Sequence, residues 1–177
     1  DRPSVAGVLT FGDPESGPTL VLNGHLDVVP ADDDAWSSDP FTPTWGETDD
    51  GAETLTARGA VDMKSPLAAC VFAALDAAER AEEAGLDGRI VVEAVAGEEE
   101  GGIGAAAAAL SNPYPFDRDA AIVAEPTELT PITAAEGTVM KRLEIQGRAA
   151  HAASRWRGED VLPHFERIRA AFKDLEA

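Results

Sequence analysis

The seven residues RIVVEAV, at positions 89–95, decide the fold class of this 177-residue chain. Most of them are apolar and four are β-branched, which is typical of a buried strand. Two similar runs lie elsewhere in the chain, TLVL at 19–22 and AAIVA at 120–124. Because sequence with helical character separates the three runs, we predict a β-α-β-α-β order and a parallel sheet with flanking helices, which is the α/β class.

Two helices and one long connection are predicted between these strands. The first helix begins at Ser65 and Pro66, with Ser65 as N-cap and Pro66 in the first turn, and it ends before Gly85. The second helix covers residues 103–110, after a glycine-rich turn. Residues 30–57 are rich in Asp, Pro, Thr and Gly, and we expect a long ordered loop or a hairpin there. The aromatic residues expected to anchor this segment are Trp36, Phe41 and Trp45.

The charge balance excludes several classes of partner. The chain has 33 acidic and 14 basic residues, which gives a formal net charge of −19. We therefore expect no nucleic-acid and no membrane-surface partner, because phosphate binding needs clustered Lys and Arg. No apolar run approaches the ~18 residues of a membrane span. Acidic residues spread along the chain fit a protein of a high-salt, halophile-like cytoplasm, with an ordinary acidic cytoplasmic protein as the alternative.

Two further features concern the cysteine and the start of the chain. The single cysteine, Cys70, excludes an internal disulfide framework and is expected in the core. The first residues have neither an initiating Met nor the apolar segment of a signal peptide. We therefore expect a cytoplasmic protein and interpret the chain as a fragment of something longer.

The sequence changes character near residue 135. Residues 139–146 roughly alternate between apolar and polar side chains, which predicts a half-exposed antiparallel strand. A helix is predicted next from apolar residues at spacings of three and four. These residues are Val161, Phe165, Ile168, Phe172 and Leu175. One strand and one helix cannot enclose a core, so residues 1–135 and 136–177 are predicted to be two domains, the second incomplete.

Four polar clusters follow predicted strands or precede a predicted helix, where open α/β sheets place their sites. They are NGHLD at 23–27, RGAVDMK at 58–64, GEEEGG at 97–102 and AEPT at 124–127. Each has a plain alternative, such as a surface histidine, a carboxylate at a helix N-terminus, or a solvated acidic turn. Four such clusters in one α/β framework favour a site with imidazole and carboxylate ligands for a metal.

In this order, NGHLDVVP, RGAVDMK, GEEEGG and AEPT resemble the dinuclear-metal peptidases and deacylases. These enzymes are related to acetylornithine deacetylase, succinyl-diaminopimelate desuccinylase, aminoacylase and carboxypeptidase G. The spacings also resemble that family: His25, Asp62, Glu99 and Glu125 are separated by 37, 37 and 26 residues. The resemblance extends from about Leu20 to the end of the chain and includes GRAAHAA at 147–153.

The resemblance implies a fold, an activity and an assembly. Residues 1–135 would be part of a three-layer, zinc-peptidase-like catalytic domain with helices on both sides of the sheet. Residues 136–177 would begin an α+β, ferredoxin-like lid or dimerisation domain, and the intact protein would be a homodimer. The activity would be metal-dependent hydrolysis of an amide bond, either N-acyl or peptide, in an amino-acid-like substrate.

The resemblance also assigns roles to individual residues. Two divalent ions would be bound, with Zn²⁺ favoured and Co²⁺ or Mn²⁺ as substitutes. Asp62 would bridge them, His25 and Glu125 would bind the first ion, and Glu99 the second. Asp27 would orient the imidazole of His25, and Glu98 would be the general base. His151 would reach the site of a neighbouring subunit and stabilise the oxyanion.

Without metal, the converging carboxylates of Asp62, Glu99 and Glu125 would repel one another, and one of them would hold a proton.

Two alternatives stay open, one from a departure from the family pattern and one from the carboxylates themselves. The family needs a further metal-binding histidine, yet after Glu125 only His151 and His164 occur, both in lid sequence. The first alternative is therefore a catalytically incomplete remnant, inert or acting as a binding module. The second is a glycosidase, which would use two carboxylates without metal. We do not predict which acyl amino acid or peptide is the substrate.

Overall fold

The structure is a computed structural model, and it describes residues 3–135, 137 and 142–175. The strands are β1 Val5–Phe11, β2 Thr19–His25, β3 Thr44–Glu47, β4 Glu53–Thr56, β5 Gly88–Val95 and β6 Ala120–Val123, and the helices are α1 Ser65–Glu83, α2 Ile103–Ser111 and α3 Leu162–Leu175. Short helical turns cover Asp33–Ala35, Ala60–Lys64 and Ala152–Arg157. The chain divides into two compact units, Asp1–Pro131 and Ile132–Ala177, and each is described by itself.

The first unit is built on a four-stranded sheet in the order β1-β5-β2-β6. Strands β5 and β6 both run parallel to β2, so the three predicted strands share one sheet and the predicted β-α-β-α-β order is confirmed. The predicted parallel arrangement holds for these three strands, and the sheet also contains β1, an unpredicted strand that joins the edge antiparallel to β5. Antiparallel neighbours need no helical crossover between them. The sequence prediction was based on strands separated by helices, so it did not include β1.

One face of the sheet packs against α1 and forms the core. Alternate residues of a strand point to opposite faces, and on β2 and β5 the residues Leu20, Leu22, Ile90 and Val92 pack with the helix. The core residues that α1 contributes are Cys70 and Ala74. Cys70 is buried, as predicted, and burial raises the pKa of its thiol.

The opposite face of the sheet holds a buried carboxylate. The side chain of Glu93, in β5, accepts hydrogen bonds from Nδ2 of Asn23 (2.9 Å) and from the hydroxyl of Tyr114 (2.9 Å). The guanidinium of Arg118 lies 3.5 Å from the same carboxylate. Burial, followed by the bond to Glu93 and its charge, raises the pKa of Tyr114 to about 12, with Arg118 opposing the rise. This network ties the connection between α2 and β6 to the sheet.

The start of α1 differs from the prediction. The N-cap is Lys64, whose backbone is already helical, and its side chain makes no capping bond. Ser65 is the first helical residue, and its hydroxyl donates to the carbonyl of Ala60 in the preceding turn. The predicted Ser65 cap is therefore wrong, because the turn Ala60–Lys64 leads directly into the helix.

The segment 30–57 contains the hairpin β3–β4, which was one of the two forms expected. The expected aromatic anchors are correct in only one case. Phe41 and Trp45 are exposed, with relative exposures of 61% and 72%. Trp36 is half-buried, and the guanidinium of Arg58 lies over its ring at 5.3 Å.

The second unit contains α3, which agrees with the predicted helix. Residues 139–141 of the predicted strand 139–146 lie outside the described residues. Residues 142–146 form no strand, and an isolated bridge joins Arg148 to Glu159. The assignment of this unit to a lid domain stays a prediction. Among the residues that the structure describes, no helix is long and apolar enough to cross a bilayer.

Candidate metal centre

His25 is the last residue of β2 and lies at the carboxyl end of the parallel strands. Its side chain is 1% exposed. The ring atom Nδ1 lies 2.8 Å from the backbone carbonyl oxygen of Asp27. Since a carbonyl only accepts hydrogen bonds, this contact places the proton of the neutral ring on Nδ1 and leaves the lone pair on Nε2. That nitrogen faces the carboxylates described below and is available to a metal.

The turn Ala60–Lys64 places Asp62 opposite this imidazole. Oδ1 of Asp62 lies 2.9 Å from Nε2 of His25. The turn is fixed to the loop after β2, because Nζ of Lys64 donates to the carbonyl of Leu26 at 2.6 Å. Gly59, just before the turn, has φ +79°, and a Cβ there would lie 2.5 Å from Cγ1 of Val28. The motif RGAVDMK therefore uses its glycine for close approach, its lysine as a tether and its aspartate as a site residue.

Two more carboxylates converge on the imidazole. Oε2 of Glu98, in the turn after β5, lies 4.0 Å from Nε2 of His25. Oε1 of Glu125, after β6, lies 3.9 Å from the same nitrogen. His25, Asp62 and Glu125 each offer one ligand atom, and these three atoms lie within 4.8 Å of one another. One imidazole nitrogen and several carboxylate oxygens are a donor set that fits Zn²⁺ or a similar divalent ion.

The pKa values of Glu125 and His25 are shifted by the negative charges that crowd the cluster. Burial raises the pKa of Glu125, and the negative charges of Glu98, Asp62 and Glu99 raise it further, while His25 opposes the rise. For His25, burial opposes the charged ring, but contacts with Asp62, Asp27 and Glu125 outweigh it and raise the pKa. Both pKa shifts favour binding of protons by the cluster. A divalent cation would supply positive charge in place of those protons.

The carboxylate of Asp27 makes contacts that the sequence analysis did not predict. Its carboxylate accepts backbone hydrogen bonds from Gly97, Glu98 and Glu99 at 2.8, 3.1 and 3.1 Å. Burial raises its pKa, but these amide donors outweigh burial, so the pKa lies below its ordinary value. The imidazole is contacted by the backbone carbonyl of Asp27, whereas its carboxylate is 3.7 Å from Nδ1 of His25. Sequence reasoning missed these bonds to the acidic turn, since nothing local signals a contact over 70 residues.

Glu99 and His151 lie outside the converging group. Oε1 of Glu99 accepts a hydrogen bond from the backbone N–H of Val29 at 3.2 Å. His151 belongs to the second unit, where it caps the turn Ala152–Arg157 and its Nδ1 accepts from the N–H of Ala153 at 3.1 Å. The structure thus brings His25, Asp62, Glu98 and Glu125 together, and the roles assigned to the individual residues stay predictions.

Comparison with known proteins gives three kinds of match. The model of the family described as Peptidase family M20/M25/M40 matches residues 21–175. A "Probable carboxypeptidase" of Neosartorya fischeri is 35% identical over 167 residues, which cover 88% of this chain and 35% of the relative. A "Probable carboxypeptidase" of Aspergillus flavus is 35% identical over 171 residues, covering 89% and 37%. The chain therefore spans about a third of the length of the curated relatives it matches.

Among solved structures, human carnosine dipeptidase 1 matches with a TM-score of 0.46 and 28% sequence identity. The match covers 68% of this chain and 25% of that protein.

Proposed function

Since the chain belongs to peptidase family M20/M25/M40, we propose that the intact protein is a metal-dependent hydrolase of amide bonds. The observation that carries the proposal is the convergence of His25, Asp62 and Glu125, with ligand atoms within 4.8 Å of one another. They lie at the carboxyl edge of a zinc-peptidase-like α/β sheet, where such folds hold their sites. The names of the curated relatives support a peptide substrate, and an N-acyl amino acid is the other substrate of the same bond type.

We infer that two divalent ions, Zn²⁺ by preference, occupy this edge of the sheet. His25 and Glu125 would hold the first, Glu99 the second, and Asp62 would be shared. The donor set supports this, as does the charge of Glu99, which contributes to the raised pKa of Glu125. When bound, the ions would polarise the amide carbonyl and lower the pKa of a water molecule.

Glu98 is the side chain suited to proton transfer. Its carboxylate is 42% exposed and lies 4.0 Å from Nε2 of His25, so it faces the cluster and remains accessible to water. In the proposed reaction, an Oε of Glu98 accepts a proton from the attacking water and returns it to the nitrogen of the leaving amine. The buried His25 keeps a fixed orientation during this transfer, because Nδ1 contacts the Asp27 carbonyl.

The assembly and setting of the protein complete the proposal. We propose that the second unit begins a ferredoxin-like lid through which the intact protein dimerises. His151 would then contribute an imidazole to the oxyanion of the neighbouring subunit. The support is the motif GRAAHAA at 147–153. A cytoplasm of high salt is proposed from the net charge of −19.

The intact protein tests this function when assayed on dipeptides, N-acetylornithine, N-succinyl-diaminopimelate and N-acyl amino acids. We expect turnover of at least one of these, loss of turnover on chelation, and recovery with Zn²⁺ or Co²⁺. Glu98→Gln should lose turnover, while the exposed Glu128→Gln serves as the control and should retain it. Full turnover after chelation would exclude the metal mechanism. No turnover of any substrate with metal present would instead favour the catalytically incomplete remnant.

A further inference from the structure

We propose that Asp27 is a positioning residue, whose carboxylate holds the backbone of the acidic turn 97–99 and so sets where Glu98 and Glu99 lie. The inference rests on the proposed function of those two glutamates. It assigns Asp27 a task distinct from the orientation of the imidazole that the sequence suggested.

The hydrogen bonds of Asp27 occupy both of its carboxylate oxygens. Oδ1 accepts from the N–H groups of Gly97 and Glu98, and Oδ2 accepts from the N–H of Glu99, at 2.8, 3.1 and 3.1 Å. These residues are 70 to 72 positions away in the sequence. Hydrogen bonds to a charged acceptor are stronger than neutral ones. Three consecutive amides on one carboxylate therefore fix the turn that carries both glutamates.

The sheet explains why Asp27 lies in this position. Strands β2 and β5 run parallel, and the pairing continues one residue past the end of β2, where the N–H of Leu26 donates to the carbonyl of Val95, the last residue of β5, at 2.8 Å. Two residues after the end of β5 the backbone turns at Gly97, whose φ is +79°. At this turn the Asp27 side chain, and not the backbone of the strand, makes the hydrogen bonds to the segment that follows β5.

The Asp27 carboxylate holds the turn without a hydrogen bond to the imidazole of His25. The ring atom Nδ1 of His25 lies 2.8 Å from the carbonyl oxygen of Asp27, but 3.7 Å from its carboxylate. The longer distance exceeds that of a hydrogen bond. Altering only the carboxylate should therefore disturb the turn and leave the hydrogen bond of the ring in place.

The test is residue-resolved amide hydrogen exchange by NMR on the 177-residue chain without metal. Asp27→Asn keeps one acceptor oxygen, and the two donors on the Oδ1 side favour its placement there. The new NH₂ group then faces the N–H of Glu99, donor against donor. We expect the Glu99 amide to exchange about tenfold faster or more, with smaller changes at Gly97 and Glu98.

A matched control is Asp119→Asn, directly before β6 and hydrogen-bonded to the first residue of β2. The carboxylate of Asp119 also accepts a distant backbone N–H, that of Thr19, at 2.8 Å. Its Asn oxygen can still accept from Thr19, so exchange at Thr19 should speed less than at Glu99, and the turn 97–99 should be unaffected. Asp27→Glu keeps both acceptor oxygens, so it should protect the turn amides better than Asp27→Asn, even if the latter unfolds.

Two further readouts distinguish positioning from general loosening. The imidazole ¹⁵N shifts of His25 should be the same in Asp27→Asn as in the unsubstituted chain. The Zn²⁺ affinity of the Asp27→Asn chain should be about 10- to 100-fold lower than that of the unsubstituted chain.

If the turn amides keep their exchange rates while the His25 shifts change, the carboxylate acts on the imidazole and the inference is wrong. It is also wrong if Asp119→Asn loosens the turn as much, or if Asp27→Glu protects it no better. Absence of Zn²⁺ binding by the unsubstituted chain would overturn the proposed function instead, while the exchange rates still decide the inference.

Discussion

Replacing Glu93 by Ala removes the acceptor at the centre of the buried network on the sheet. Glu93 is 5% exposed, and its carboxylate accepts from Asn23 and Tyr114 at 2.9 Å each. Each hydrogen bond to a charged group contributes about 1.5–3 kcal/mol, so two give about 3–6 kcal/mol. Arg118 loses a partner at 3.5 Å, but its guanidinium still donates to the carbonyl of Ala108. We therefore expect Glu93→Ala to lower the free energy of unfolding by about 3–5 kcal/mol.

Glu93→Gln should have a smaller effect because Asn23 can adapt. The Gln oxygen can still accept from Tyr114, while its NH₂ group takes the place of the oxygen that faces Asn23. Rotation of the Asn23 amide then presents its own oxygen as acceptor, so these groups keep partners. What is lost is the negative charge, and we expect a destabilisation of about 1–2 kcal/mol.

Urea unfolding followed by far-UV circular dichroism measures both changes. The control is Glu79→Ala on the exposed face of α1, expected to change stability by no more than about 0.5 kcal/mol. The account of the network would be refuted if Glu93→Ala cost less than about 1 kcal/mol. It would also be refuted if Gln proved as damaging as Ala, because that would mean that Asn23 does not adapt.

Three further predictions concern the core, the network and the site. Gly24→Ala should destabilise the fold by about 1–3 kcal/mol in urea unfolding, since its Cβ would lie 2.6 Å from Cε of Met63; an unchanged midpoint would contradict this packing. Tyr114, the single tyrosine, has a pKa of about 12, so tyrosinate absorbance at about pH 11 should be lower in the folded chain than in urea. The stability from this shift is complete below about pH 10 and is lost as the pH rises through 12; equal absorbance in a chain still folded by circular dichroism would be the contrary result. In the intact protein, Glu98→Ala should keep its metal and lose about 10²–10⁴-fold in rate, whereas Glu99→Ala should lose metal too; the reverse pattern of metal content would exchange the two roles.

The sequence predicted the parts of the fold that local patterns encode. Continuous apolar runs gave the three parallel strands, and the breaks at glycine and proline gave the two helices between them. The family resemblance correctly indicated peptidase family M20/M25/M40 and a zinc-peptidase-like α/β fold. The antiparallel edge strand β1 was missed, because pairing at an edge is decided by a distant neighbour and not by the strand's own residues.

For the site, the sequence identified residue types more reliably than contacts. The convergence of His25, Asp62 and Glu125 follows from the placement of polar residues after parallel strands, which a sequence can show. The attachment of the Asp27 carboxylate to the acidic turn could not be predicted, because it depends on where the turn's amides point. Glu93 did offer a signal, since a charged residue inside an apolar strand requires buried partners.

The most direct test of the central claim is isothermal titration of Zn²⁺ into the chain and its Glu125→Gln variant. The control is Glu128→Gln, an exposed carboxylate three positions further on. We predict that the chain and the control bind at least one ion per chain with the same affinity. The affinity of Glu125→Gln should be lower by about tenfold or more. Equal affinity in all three, or no binding to the unsubstituted chain, would contradict a metal centre built on His25, Asp62 and Glu125.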